Sequence, residues 1–181
     1  LKKENIVTDN YAKIVQDNLE KLYGNLPENL ADALPATREG ETFIFKAFGE
    51  KCRIQPEGIF LGAEKQTGVS GILISLYALH VQPEPCVLEP LKSFKDFPNS
   101  MPYTGAFATH TEHILTPHVE RIENASAQIM KQFGGQISPA NISGDFSFVI
   151  YPVPKIALCY IFYKADEDFP ASVTCLFQAM H

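Results

Sequence analysis

No two cysteines in this chain form a CxxC pair. Cys52, Cys86, Cys159 and Cys175 lie far apart, so the spacing that builds zinc knuckles or redox dithiols is missing. The expected state is four reduced, mostly buried thiols, since free cysteine is among the most buried residue types. No apolar run approaches the roughly 20 residues that a membrane helix needs. The longest candidate, Val69 to Val81, is broken by Ser70, Gly71, Ser75 and His80. Basic residues form no cluster beyond Lys2-Lys3, which reads as a solvated end, and the formal net charge is −6. A phosphate backbone needs a basic face, so nucleic acid is not an expected partner. The basic-then-apolar order of a secretory signal is also missing. Because the first residue is Leu1 rather than Met, an upstream segment is left open. The expected location is the cytoplasm.

The signatures of several enzyme classes are missing as well. Gly68 to Gly71 and Gly134-Gly135 match neither a Walker loop nor a dinucleotide fingerprint. There is no GxSxG elbow and no HExxH helix.

What is present is an ordinary globular composition: 181 residues, 45% apolar and 20% charged, enough to bury a core without staples. Helical spacing of Tyr11, Ile14, Val15, Leu19 and Leu22, with Asp9 as cap and Gly24 as stop, predicts a first helix. A second short one runs from Pro27 to Leu34. Thr42 to Phe48, Lys51 to Gln55 and Ile59 to Leu61 are separated by tight turns and predict an antiparallel meander. Val69, Ile72, Leu73, Leu76 and His80 share one face of a predicted helix, which makes His80 a core histidine. One strand is expected within Val87 to Phe94. Thr116-Pro117 is placed to cap a longer helix with the stripe Val119, Ile122, Ile129, Met130 and Phe133, closed by Gly134-Gly135.

The last third predicts three strands, over Asp145–Tyr151, Ile156–Tyr163 and Ser172–Gln178. Symmetry about Glu167 sets Ile161 opposite Val173, Cys159 opposite Cys175 and Ala157 opposite Phe177. Both faces are then largely apolar, so these strands belong inside a sheet. The expected fold class is α+β, with two antiparallel meanders of six to seven strands and helices packed on the sheet. It is read as a single domain over 1–181, comprising a helical segment (1–40), a first meander (42–62), a mainly helical middle (67–134) and a second meander (145–178).

The densest set of ligating side chains is Thr109-His110-Thr111-Glu112-His113, followed by His118. On a helix His110 and His113 would share a face, suiting a divalent metal. The alternative is a solvated polar face. Asp166, Glu167 and Asp168 could bind a cation through oxygen, or simply keep a hairpin tip wet. Asp145, after Gly144 at the mouth of a strand, can cap backbone amides or face a cleft.

Gly144-Asp145, Tyr151-Pro152-Val153-Pro154, Asp166-Glu167-Asp168-Phe169-Pro170 and Leu176-Phe177 together carry a resemblance. In these the chain resembles the domain of unknown function 3786 family, from anaerobic bacteria and archaea. Leu76-Tyr77 on the apolar helix is similar to that family's central helix. The resemblance implies an intracellular protein of anaerobes. Some relatives add a cysteine segment of iron–sulfur type that this chain does not have, and relatives usually continue past the Leu-Phe strand. No catalytic residue is assigned in the family, so none transfers. The expected function is a non-catalytic binding or accessory domain beside anaerobic metal or corrinoid enzymes, with a protein partner or small ligand. The alternative is a metal-dependent enzyme using His110 and His113.

Overall fold

The structure, a computed structural model, describes residues 2–178, with side chains from residue 10 onward. The chain divides into two compact units, Leu1–Pro85 with Val153–Lys155, and Cys86–Pro152 with Ile156–His181.

In the first unit, helix α1 (Lys2–Gly24) is followed by the short α2 (Leu30–Ala33). The expected cap Asp9 falls inside α1 instead of opening it, because nothing from Lys2 to Asn10 is a helix breaker. Five strands then form a meander in sequence order: β1 (Thr37–Glu39), β2 (Thr42–Ala47), β3 (Glu50–Gln55), β4 (Gly58–Leu61) and β5 (Glu64–Lys65). Phe48 and Gly49 at the β2–β3 turn both take positive φ, the twist that a two-residue hairpin requires. Phe43, Phe45, Ala47, Cys52, Ile54, Ile59 and Leu61 point inward. They meet Val15, Leu19 and Leu22 of α1 and residues of α3 (Val69–His80).

Helix α3 buries a different face from the one its large side chains suggest. Gly71, Ile74, Ser75, Tyr77 and Ala78 face the core, while Val69, Leu73 and Leu76 are exposed and His80 lies in solvent, not in the core. The reason is the crossing with α1. A Cβ at Gly71 would collide with the Gln66 carbonyl and sit 3.0 Å from Val15 Cγ2. Beside that close approach, Asn18 Nδ2 donates to Ser75 Oγ at 2.9 Å, and Ser75 donates on to the Ile72 carbonyl. A small residue and a satisfied polar pair select the packed face here.

The second unit holds β6 (Leu91–Ser93), α4 (Thr104–Phe107), α5 (Val119–Phe133), β7 (Gln136–Ile137), β8 (Phe146–Val153), β9 (Ile156–Tyr163) and β10 (Ser172–Gln178). Its antiparallel sheet has the order β6-β10-β9-β8-β7. Between α4 and α5 the chain winds as a π-helical turn (Ala108–Glu112) and then 3-10 turns (His113–His118). Pro117 therefore lies inside the 3-10 stretch, and α5 starts two residues later than its proline suggests. At the other end Gly134 adopts the left-handed cap, φ 61°. The fold class is α+β, as expected, with ten strands in two five-stranded sheets among the described residues where six to seven were expected. The extra strands are edge pieces of two or three residues, too short to show a period.

The predicted register of β9 and β10 is wrong by one residue. Cys159 pairs with Leu176, Cys175 with Tyr160, Ile161 with Thr174 and Val173 with Phe162. The turn explains the slip. Asp166 Oδ1 accepts from the amides of Asp168 and Phe169, and the Asp166 amide donates to the Phe169 carbonyl. The hairpin is thus centred between Glu167 and Asp168. A one-residue shift sends alternate side chains to opposite faces, so Cys159 and Cys175 are not neighbours across the strands. Cys159 and Ile161 pack with Val149 and Ala157, whereas Val173 packs with Phe148, Phe162 and Val119. Both faces are buried, which places these strands inside the sheet as expected.

Candidate functional site

The three histidines do not share a helical face. His110 lies on the π turn, while His113 opens and His118 closes the 3-10 stretch, and all three are exposed. Among the described residues no three His, Cys, Asp or Glu side chains come together as a group able to hold a metal ion. Glu112 is engaged elsewhere: its Oε1 accepts from the Cys175 amide at 2.9 Å.

His118 does line a concave surface. It borders a groove of about 380 Å³ formed with Leu115, Arg121, Ile122, Ala125 and Ile129. The groove follows from α5 itself. Ile122, Ala125 and Ile129 recur at helical spacing, and the half-buried Ile122, Ile129 and Leu115 also pack against the sheet core. The small Ala125 leaves a hollow between the two isoleucines. At the rim stand the imidazole of His118 and the guanidinium of Arg121. Glu123, on the same helix, is drawn away to Lys164, whose Nζ lies 3.0 Å from its carboxylate. Arg121 has no acidic partner among the described residues. Sequence reasoning gave Ile122 and Ile129 as part of the helix's apolar stripe and did not single out Arg121. The spacing of His118, Arg121, Ile122, Ala125 and Ile129 was the available signal.

The acidic candidates serve the backbone. Asp145 Oδ2 accepts from the Lys164 amide at 2.6 Å, while the Asp145 amide donates to the Phe162 carbonyl. Gly144 before it has φ +127° and sits against Ile161 and Phe162, a position that a side chain would strain. Asp166 ties the hairpin tip as described above, and Asp168 contributes its amide to that turn.

Cys52, Cys159 and Cys175 form no disulfide, and the Cys86 thiol donates to Gln178 Oε1 at 3.0 Å. Cys52, Cys159 and Cys175 are buried, and desolvation pushes Cys52 and Cys175 up to about 12 and Cys159 up to about 11. A thiol held protonated is a poor nucleophile and a poor metal ligand. Burial also raises the Tyr160 hydroxyl, on the residue directly opposite Cys175. These groups are core.

Residues 6–180 match the family described as a domain of unknown function, number 3786. The chain belongs to that family. No curated protein and no solved structure matches it. Among the described residues no helix is long and apolar enough to cross a membrane.

Proposed function

We propose that this chain is a non-catalytic binding or accessory domain of the cytoplasm, and that the α5 groove takes a small ligand with an apolar body and an anionic end. One observation carries the reading: an apolar hollow of ligand size is edged by a guanidinium that has no acidic partner among the described residues. A carboxylate or phosphate end would meet Arg121 and His118 while its apolar portion lies over Ile122, Ala125 and Ile129. Service beside anaerobic metal or corrinoid enzymes is part of the same proposal and is supported by family likeness alone.

Decanoate, with decanol as the uncharged match, is a suitable probe in heteronuclear NMR titration. Decanoate should shift amides from Leu115 to Ile129, Arg121→Ala should weaken it about tenfold, the scale of one charge-assisted contact, and Ala125→Phe should abolish it. Shifts scattered over the surface, or equal binding by Arg121→Ala, would sink the groove. Co-purification from the native host addresses the accessory role; a lone monomer there would count against it.

A further inference from the structure

The outward face of the first sheet gathers charge that is scattered along the sequence. One cross-strand row runs Thr37, Ile44, Arg53, Phe60, Lys65 through β1 to β5. One step further along, Lys46 of β2 stands directly opposite Lys51 of β3. Four cations therefore share this face; among the described residues Glu39, paired with Thr42 at the far end, is the acid in register with it, and the Glu50 carboxylate reaches Gly62 at the near end. Ile44 and Phe60 are half-buried between them, and the three lysines are exposed.

Two features set this apart from an ordinary solvated face. Like charges placed directly opposite destabilise a sheet, yet among the described residues neither Lys46, Lys51 nor Lys65 has an acid within ion-pair distance. This persists in a chain whose net charge is −6, where acids for compensation are abundant. Arg53, moreover, is held in place: its Nη2 donates to the Gly62 carbonyl at 3.1 Å, and its guanidinium lies 5.3 Å above the Phe60 ring. An ordered guanidinium loses less entropy on binding than a free one.

We propose that this face docks an acidic, extended segment of a partner protein, with one apolar side chain of that segment seated on Ile44 and Phe60. Charge complementarity favours such an occupant: alternate residues of an extended chain stand roughly 7 Å apart, the same spacing that separates Arg53 from Lys51 along β3. Nucleic acid fits less well, since Phe60 is the single ring among the described residues of the face, which leaves no platform for successive bases. This docking face is independent of the α5 groove, so either can fail alone.

The test is fluorescence anisotropy with the full chain and a labelled Asp/Glu-rich peptide bearing one central Phe, beside a labelled oligodeoxythymidine. The peptide should bind and weaken as salt rises. K46E with K51E should lose at least about tenfold, and F60A should weaken binding without changing the salt dependence. K46E alone should leave the fold intact, or stabilise it slightly by relieving the Lys46–Lys51 repulsion, as read from urea unfolding. No peptide binding, binding unchanged by K46E with K51E, or tighter binding of the oligodeoxythymidine would each overturn the proposal.

Discussion

Glu112 Oε1 accepts a hydrogen bond from the Cys175 amide at 2.9 Å, at the point on β10 where its neighbour β6 has run out. Among the described residues strand β6 pairs with Leu176 to Gln178, so Cys175 is the first residue beyond it on the other side. A side chain on the π turn thus does what a neighbouring strand would do. Exposed edges are commonly closed by such covering segments, and a π turn is a common means of re-aiming one side chain.

Glu112→Ala should therefore cost about 1–3 kcal/mol, the range for a lost hydrogen bond to a charged group. Glu112→Gln, which keeps an acceptor, should cost less. Urea unfolding of the variants measures both; an unchanged midpoint for Glu112→Ala would show that water replaces the carboxylate at no cost.

Gly144→Ala should destabilise more than an ordinary loop substitution, by about 1–3 kcal/mol. The φ of +127° disfavours a side chain, and the new Cβ would sit 2.6 Å from Ile161 Cγ2 and 3.2 Å from the Phe162 carbonyl oxygen. Thermal unfolding reads the loss, and wild-type stability in this variant would mean that β9 yields easily.

The buried thiols predict a loss of stability at high pH. Cys52, Cys159 and Cys175 titrate from 9.0 unfolded to about 12, 11 and 12 folded. The folded state keeps its protons longer, so this contribution is fully present below pH about 9 and falls as pH rises towards the folded values. The urea midpoint should hold up to about pH 8 and decline above 9. Replacing the three cysteines by alanine should flatten that decline, at some cost in packing. A decline of the same steepness would assign it to other groups.

Native-state alkylation should modify the half-buried Cys86 first and leave the other three protected. Mild oxidation should give no Cys159–Cys175 disulfide, because their side chains leave opposite faces of the sheet. Mass mapping after diamide treatment checks this; a Cys159–Cys175 crosslink would contradict the observed register.

The three strands of the last third were legible because each is a long apolar tract bounded by turn residues. Their register was not. Both faces of β9 and β10 are apolar, so the hydrophobic pattern scores two adjacent registers alike, and the decision fell to Asp166 and its two amide bonds. Helix α3 was similarly ambiguous. Its exposed Val69, Leu73 and Leu76 are as apolar as its buried residues, and the choice of face was made by the fit of Gly71 against α1. The placing of the histidines was hidden for a related reason: an HxxH spacing puts two side chains on one face of a regular helix, and this stretch winds as π and then 3-10.

Taken alone, the sequence determined the fold class, the places of the long elements, the reduced and mostly buried thiols, and the family likeness. These follow from composition and local periodicity, which act over a few residues. The tertiary structure decided which face of α3 is buried, which amide Glu112 satisfies, and that Lys46, Lys51, Arg53 and Lys65 stand on one surface. Each depends on strand pairing or helix crossing between residues distant in the chain, and no local preference records that pairing.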